Sequence, residues 1–396
     1  MVIFMAARGI RLFAAALLIP ILMTFLSGCW DEHELDALFI ITGVALDKSI
    51  RPDQMDITMQ VGKTESESSG SGDASSQGDS IILLKTTNDT MLGGIMDFNR
   101  DSSRRVLLHH NQVLLFGSAL AEQGVKKRID LFMRDQEARM EVPVMVSDGF
   151  ASAVLSTKMD QDKISGLFLS RVMSGLAAVS PQYRVRMLDF ASRLMDGTSS
   201  PVAPIAKVVE EDGKNEIRIA GMAVFKGDKM IGRLSNDEVL GYIWAMGDVK
   251  QSGVAAKNHL GKAVFNIAEL DCKKDITLRQ DGGVRVAMDV DAVLNVGELS
   301  GFEGMPPDEL MPLLVELAQD EIGLKITNTF EIARRLNADI YRFGISVYRK
   351  YPKEWKIMRD HWDAIFPDIE LSVRTRVRIP GTGKTVQSLE MEESMK

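Results

Sequence analysis

The stretch IELSVRTRVRI, residues 369–379, decides the fold of the last third of the chain. Its apolar residues recur with a period of two, on one side of an extended chain: Ile369, Leu371, Val373, Val377 and Ile379. Its charged residues occupy the other side: Glu370, Arg374, Arg376 and Arg378. Because the side chains of a strand alternate between two faces, this pattern predicts a strand with one face buried and the other exposed to water.

A second strand and a long helix accompany this stretch. The segment VRVAMDVDAVLN, residues 284–295, has the same period of two, and a helix is predicted to begin near Asp308, after two prolines. We expect this helix to break near Gly323 or Asn328, because glycine and asparagine are poor helix formers. Half-buried antiparallel strands with a helix on their apolar side indicate an α+β domain, residues 266–383.

The middle of the chain, residues 201–265, is predicted to be a small separate domain. A proline-containing linker, GTSSPVAP, leads into it. Two strands are predicted on either side of a turn centred on Gly227, which indicates a β-hairpin. Ser235 and Glu238 then have the spacing of a capping box, the signature of a helix start, and this helix is predicted to continue to Met246.

Strands alternate with helices in the predicted first domain, residues 29–200, which indicates an α/β layer. The predicted strands are 39–46, 55–61, 81–85, 111–116 and 142–146, and the predicted helices are 89–100, 118–134 and 182–195. Residues 62–80 have no apolar residue larger than alanine and are predicted to be a disordered loop, since they cannot bury enough surface to offset their ordering entropy. The whole chain is therefore predicted to be an α+β protein of three domains.

The first 28 residues have the features of a secretory signal peptide. Two arginines precede the uncharged run LFAAALLIPILMTFL, and the small residues Ser27 and Gly28 precede Cys29. Leu-Ser-Gly-Cys resembles the bacterial lipobox, in which the cysteine thiol is joined to a diacylglycerol and the signal is cut just before it. An uncleaved anchor helix is the alternative, but the run is shorter than the ~20 apolar residues that a membrane-spanning helix needs. Cys29 is thus the predicted lipid attachment site, which leaves Cys272 without a partner for an intrachain disulfide.

The composition argues against one class of partner. The formal net charge is −8, and 45% hydrophobic with 26% charged residues is typical of a globular protein. Non-specific nucleic-acid binding depends on clustered lysine and arginine. No nucleic-acid partner is therefore predicted for this acidic chain.

No catalytic, cofactor or metal site is predicted. His109 and His110 are neighbours, and neighbouring residues of a strand point to opposite faces, so they cannot share a metal ion locally. The segment GTGKT, residues 381–385, ends like a phosphate loop, but that motif needs a glycine five residues before Gly383, where this chain has Arg378. Residues 384–396 are predicted to be a flexible tail. The aromatic residues of 348–362 recur at helical intervals, which favours a packed helix face over a nucleic-acid or headgroup site.

Four segments resemble the Ger(x)C family of spore germination lipoproteins, the C subunits of nutrient germinant receptors. They are GCWDEHELDALFIITGVALDK (28–48), HHNQVLLFGSALAEQGVKKRIDLFMRDQEAR (109–139), GMAVFKGDKMIGRLSNDEVLGYIWAMGD (221–248) and DIYRFGISVYRKYPKEWKIMRDHWDAIFPDIELSVRTRVRIPGTG (339–383). They follow the family's order and span nearly all of the chain after the signal peptide. The polar segment 62–80 looks longer than the family's usual loop at this point.

The resemblance implies a three-domain exported lipoprotein. Because catalytic and metal-binding motifs are missing from the sequence, we predict that it has no enzymatic activity and no cofactor. Such a protein would be held by an N-terminal diacylglyceryl anchor, with palmitate-type acyl chains, on the outer face of the spore inner membrane. It would act there with integral membrane subunits of the A and B types in nutrient-triggered germination. The resemblance does not define the biochemical role of the C subunit.

Two other functions fit an exported lipoprotein. A solute-binding lipoprotein of a transporter would consist of two similar α/β lobes, which the α+β final third does not favour. A cell-envelope hydrolase would need a catalytic constellation, and the sequence motifs of one are missing.

The arginines of the last strand are the remaining candidate site. Arg374, Arg376 and Arg378 share one face and are predicted to contact anionic headgroups or acidic loops of partner subunits. The alternative is that Asp289 and Asp291 lie opposite these arginines and neutralise them.

Overall fold

The computed structural model describes residues 37–62, 81–135, 138–159, 162–302 and 304–380. The predicted signal peptide with Cys29, nearly all of the predicted 62–80 loop and the predicted 384–396 tail lie outside these residues.

The described strands form two sheets. The first sheet consists of β1 (Leu38–Lys48), β2 (Met55–Gly62), β3 (Ile81–Asn88), β4 (Arg105–Leu107), β5 (Leu114–Gly117), β6 (Val144–Ser147), β7 (Val202–Glu211), β8 (Lys214–Lys226) and β9 (Lys229–Leu234). The second consists of β10 (Ser252–Lys257), β11 (Gly261–Leu278), β12 (Val284–Gly301) and β13 (Glu370–Arg378).

The α-helices lie between these strands in sequence. They are α1 (Met91–Asp101), α2 (Ser118–Gln123), α3 (Asp130–Arg134), α4 (Ala151–Ser156), α5 (Ser165–Val179), α6 (Met187–Asp196), α7 (Asn236–Met246), α8 (Pro307–Arg335), α9 (Phe343–Lys350), α10 (Pro352–Met358) and α11 (Trp362–Ile365). The mixture of helices and strands confirms the predicted α+β class, although α4 and α5 were not predicted.

The first sheet is parallel in its centre and antiparallel at its two ends. Strands β1, β5, β6 and β7 are parallel neighbours, and β4 also pairs in parallel with β1. The antiparallel strands β2 and β3 extend one end, and β8 and β9 extend the other. Every residue of β5 and β6 is buried, as expected for parallel strands that are covered on both faces.

The segment predicted as a small central domain, residues 201–265, is divided between the two sheets. Its first three strands, β7 to β9, continue the first sheet, and its last strands, β10 and the start of β11, belong to the second. The predicted hairpin around Gly227 is present as β8 and β9. The hairpin therefore extends the first sheet through the pairing of β8 with β7, and a local sequence pattern does not show which sheet a hairpin joins.

The second sheet departs from the prediction in the direction of its last strand. Strands β10, β11 and β12 are antiparallel neighbours, as predicted, but β13 pairs with β12 in parallel. Parallel neighbours need a long crossover connection, and α8 to α11 provide it. Helix α8 contacts both edge strands, β10 and β13.

Helix α8 runs unbroken from Pro307 to Arg335, so the predicted break at Gly323 or Asn328 is wrong. A buried stripe continues through both positions at helical spacing: Leu310, Leu314, Ala318, Ile322, Ile326 and Phe330. Burying this stripe contributes more than the ~1 kcal/mol by which one glycine disfavours a helix.

The predicted helix 118–134 is divided into α2, a 3-10 turn and α3. Helix α2 ends at Gln123 because Gly124 has φ +133, which a non-glycine residue rarely adopts. The predicted helix 182–195 begins only at Met187, since Val185 and Met187 form backbone hydrogen bonds with Val144 and Val142 in and beside β6.

Helix α7 joins the two sheets. The predicted capping box at its start is present, with the Ser235 hydroxyl accepting from the Glu238 amide and the Glu238 carboxylate accepting from the Ser235 amide. Most of α7 is buried, and it contacts α8 as well as strands of both sheets. A helix buried on nearly all sides belongs to the centre of a core. One continuous cluster of buried apolar side chains accordingly spans both sheets.

Candidate functional site

The predicted arginine face lies on the exposed side of the second sheet. Arg374 stands opposite Asp289 on β12, and Arg376 stands opposite Asp291. The Arg376 guanidinium donates to both carboxylate oxygens of Asp291, at 2.7 and 2.9 Å. Arg374 Nη1 lies 3.5 Å from Asp289 Oδ1. The two aspartates therefore do neutralise part of this face.

These cross-strand ion pairs are exposed to water. The side chains of Arg374 and Arg376 are 77% and 53% exposed, and Arg378 is exposed opposite Val293. The hydrogen bond from Arg376 holds the pKa of Asp291 below its usual range. Exposed pairs contribute little to the free energy of unfolding, about 0–1 kcal/mol each. The face is therefore free to change partners without a large effect on stability.

A buried carboxylate, that of Asp339, lies in the segment between α8 and α9. Asp339 Oδ1 accepts from the Phe343 amide at 2.9 Å, and Oδ2 accepts from the Gly344 amide at 2.8 Å. Trp362 Nε1 donates to the same Oδ2 at 3.3 Å. Burial raises the pKa of Asp339 to about 6, although these hydrogen bonds act in the other direction. Asp339 thus holds the first turn of α9.

Arg193 on α6 is a buried cation whose charge acts on Asp339. Its Nη1 donates to the carbonyl oxygens of Ser200 and Ile340, at 3.3 and 3.2 Å, and its Nη2 donates to the Tyr242 hydroxyl at 3.3 Å. The positive charge of Arg193 acts to lower the pKa of Asp339, but the two groups do not form an ion pair within the described residues. Arg193 thereby connects the first sheet's helices to the loop before α9.

Two further titratable groups, Cys272 and Lys274, lie on β11, and the charges of Asp339 and Arg193 act on Lys274. Burial lowers the pKa of Lys274, whose Nζ lies 3.4 Å from the sulfur of Met246. Burial also raises the pKa of the Cys272 thiol to about 11, so this cysteine is a poor nucleophile near neutral pH.

A cavity of about 410 Å³ opens next to Arg193. We call it the arginine cavity, because four arginines line it: Arg184, Arg186, Arg193 and Arg342. Arg184 and Arg186 lie just before α6 in the segment that bonds to β6, whereas Arg342 lies in the loop before α9. Sequence reasoning missed this cavity, since Arg342 is far in sequence from the other three arginines that line it.

The four arginines differ in how far their charges are compensated. Arg186 donates to Asp189 at 2.7 and 3.1 Å and to Glu141 at 3.0 and 3.1 Å, and these hydrogen bonds raise its pKa. Arg184 donates to the Glu141 carbonyl oxygen at 3.4 Å. Within the described part of the chain, neither Arg184 nor Arg342 forms an ion pair.

The histidines do not form a metal site in the described structure. His109 and His110 lie in an exposed turn before β5, not on a strand as the sequence argument assumed. A group of three or more histidine, cysteine, aspartate or glutamate side chains that could hold a metal ion is not found among the described residues. A helix long and apolar enough to cross a membrane is likewise not found in that part of the chain.

Comparison with known families matches almost the whole of the described chain. The model of the spore germination protein N-terminal domain matches residues 31–208, and the model of the spore germination B3/GerAC-like C-terminal domain matches residues 220–383. The chain belongs to the Ger(x)C family. The resemblance of the four segments to this family is thereby confirmed, and with it a role in spore germination.

Curated Ger(x)C relatives in Bacillus subtilis (strain 168) match over nearly their full length. The putative spore germination protein YfkR is 22% identical over 378 residues, which is 93% of this chain and 95% of that protein. Spore germination protein KC is also 22% identical, with the same coverage of both chains, and spore germination protein B3 is 22% identical over 90% of this chain and 95% of its own.

A solved structure in the Ger(x)C family has the same fold. The crystal structure of the GerBC protein superposes with a TM-score of 0.58 at 19% sequence identity, covering 86% of this chain and 97% of that one. At this identity the likeness bears on the fold alone. The arginine cavity takes residues from the segments that match both Ger(x)C domain models, so it exists only where the two are folded together.

Proposed function

We propose that this chain is the lipid-anchored, non-enzymatic subunit of a spore germinant receptor complex. It is joined through Cys29 to a diacylglycerol on the outer face of the spore inner membrane. It acts there by contacts with the integral membrane subunits of the A and B types. The observation that carries this proposal is the match to both Ger(x)C domain models along the chain, directly after a lipobox-like LSGC.

The arginine face of β13 supports a contact role beside a membrane. The three arginines of the edge strand β13 face two aspartates of β12, so this edge keeps positive charge for an acidic loop of a partner subunit or for anionic headgroups. Each basic residue near an anionic membrane surface contributes about 1 kcal/mol of attraction. In this proposal the acidic net charge of the chain keeps the rest of the surface from binding there.

Replacing Cys29 by alanine tests the anchor. We expect the variant to lack the lipid and to retain its signal peptide, because the thiol is the attachment atom. Mass spectrometry of the N-terminal peptide from membrane-bound protein measures both properties. Cys272→Ala is the matched control and should be lipidated normally, because it removes a cysteine of β11 and leaves Cys29 in place. Mature protein with an unmodified Cys29 would contradict the proposal.

Co-purification from spore membranes tests the partnership. The lipidated wild-type chain should retain the A and B type subunits. Recovery of the lipidated chain alone, in an uncharged detergent and at low salt, would contradict receptor membership without bearing on the anchor.

The triple substitution Arg374→Gln, Arg376→Gln and Arg378→Gln tests the contact face. It should weaken retention in the complex, whereas the melting temperature should barely move because the ion pairs on this face are exposed. A control with the same change of charge replaces the exposed Lys126, Lys127 and Lys229 on the first sheet's side. If both triple variants were retained as well as the wild type, Asp289 and Asp291 would neutralise the arginines and the face would not contact a partner.

A further inference from the structure

We propose that the arginine cavity binds a small organic acid, whose carboxylate is held by the guanidinium groups of Arg184 and Arg342. The cavity has a volume of about 410 Å³, within the range of about 300–1,000 Å³ that is usual for small-molecule sites. This ligand site goes beyond the proposed receptor role, since it requires neither the lipid anchor nor a partner subunit.

The charge of the cavity favours an anion. Two carboxylates, Asp189 and Glu141, engage Arg186 fully, and Arg193 is bonded to two carbonyl oxygens and a tyrosine hydroxyl. Arg184 and Arg342 are left without an ion pair among the described residues. Two uncompensated guanidinium groups in one cavity of an acidic protein repel each other, and an anion between them removes that repulsion.

The unbonded donors of these two arginines point to the same conclusion. The Nε atoms of Arg184 and Arg342 are buried and have no hydrogen-bond partner in the structure. A buried donor that has lost water without gaining an acceptor is unfavourable. A carboxylate supplies two acceptor oxygens with the planar geometry that guanidinium groups match, and hydrogen bonds between charged groups are the strong ones.

Arg342 is held in a special conformation. Its backbone lies in the left-handed region, with φ +61 and ψ 38, which is uncommon outside glycine. The neighbouring rings of Tyr341 and Phe343 stack with centroids 5.4 Å apart, and Asp339 binds the amides of Phe343 and Gly344. The surrounding structure thus fixes Arg342 in a strained conformation, and such strain concentrates at binding sites.

The remaining wall of the cavity indicates an organic acid and not an inorganic anion. Ala177, Pro181, Val185 and Met246 add apolar side chains to the lining of the cavity, beside the polar Gln182, Ser192 and Tyr242. A ligand with a short hydrocarbon body can bury that body here while its carboxylate meets Arg184 and Arg342. Inorganic phosphate or sulfate would leave the apolar wall without a contact.

Calorimetric titration of the full-length chain in an uncharged detergent tests the site. The probes are glutarate, the uncharged glutaramide of the same shape, and inorganic phosphate. We expect glutarate to bind, more weakly as salt is raised, and the other two not to bind measurably. Arg184→Gln and Arg342→Gln should each weaken glutarate binding about tenfold or more. Arg342→Lys should recover only part of it, since an ammonium cannot make the paired contacts.

Arg374→Gln is the matched control, because it removes an exposed arginine outside the cavity and should bind glutarate like the wild type. Melting temperatures show whether each variant is folded, and Arg184→Gln carries the test if Arg342→Gln unfolds. The proposal is overturned if glutarate does not bind, if both cavity variants bind it like the wild type, or if phosphate binds equally well. None of these results would affect lipidation at Cys29 or retention in the receptor.

Discussion

At the scale of single residues, Asp339 shows how one buried carboxylate can couple folding to pH. It is fully enclosed, and burial raises its pKa to about 6 from an ordinary value near 3.8. The folded state therefore binds the Asp339 proton more tightly than the unfolded state does. This contribution to stability is fully present below the unfolded pKa and is lost as pH rises through about 6.

The prediction is that Asp339→Asn removes one component of the pH dependence of stability. Between pH of about 4 and 6, the free energy of unfolding of the wild type should fall, relative to that of the variant, by up to ~1.4 kcal/mol per pH unit. Denaturant titrations at a series of pH values measure this difference. Asp212→Asn, in the exposed turn between β7 and β8, should keep the wild-type dependence. Parallel curves for wild type and Asp339→Asn would contradict the assignment.

Single residues also mark how far the sequence could predict the candidate sites. The arginines of β13 and the aspartates of β12 could be predicted to share an exposed face, because an alternating pattern carries that information. Arg184 and Arg342 could not be predicted to meet, since residues far apart in sequence are brought together only by the tertiary fold.

At the scale of elements, the crossing of α7 and α8 depends on the absence of one side chain. A Cβ atom on Gly241 would lie 2.3 Å from the Lys325 carbonyl oxygen and 2.3 Å from Thr329 Oγ1. The Thr329 hydroxyl donates across this contact to the Glu238 carbonyl oxygen at 2.9 Å. The two helices therefore approach each other along their backbones at Gly241.

The prediction is that Gly241→Ala destabilises the protein even though alanine is the better helix former. Overpacking of this kind raises the free energy of the folded state by about 1–3 kcal/mol. Gly175→Ala in α5 is the matched control: a Cβ atom there would meet nothing within 4 Å, and the change should stabilise by about 0.5–1 kcal/mol. Chemical denaturation of both variants measures the contrast, and a stabilised Gly241→Ala protein would refute the close approach.

Elements also show which parts of the fold were predictable. Strands of period two, such as β12 and β13, and the capped start of α7 were predicted well because their signals are local. The direction of β13, the break at Gly124 and the continuity of α8 past Gly323 were not. The direction of β13 and the continuity of α8 depend on contacts with a distant element, which outweigh local propensity, whereas the break at Gly124 follows from the positive φ of a glycine inside an otherwise helical pattern.

At the scale of the whole molecule, the boundary between the two family matches falls inside one sheet. The first match ends at residue 208 inside β7, and the second begins at residue 220 inside β8. These strands are antiparallel neighbours in one sheet, and the apolar core continues across both sheets. A division of the chain at this hairpin would leave an open sheet edge on each half.

The prediction is that fragments 1–212 and 213–396, expressed separately, do not fold into soluble monomers, and that co-expression restores a complex. Inserting a flexible Gly/Ser segment of about 20 residues between Asp212 and Gly213 is the control, and it should be tolerated because both halves stay in one chain. Size-exclusion chromatography and thermal melting measure the outcome. Either fragment alone behaving as a monomer with a cooperative transition would show that the family domains are independent.

The parallel pairing of β13 has a consequence for newly made chains. Asp289 and Arg374 face each other, yet 85 residues separate them in sequence. The ribosome therefore completes β12 and α8 well before it adds the strand that covers their shared border. A product terminated before residue 370 presents a bare strand edge and part of the apolar side of α8, both of which proteases and chaperones recognise. The burial of β12 and α8 is thus complete only after the residues between Asp289 and Arg374 have been made.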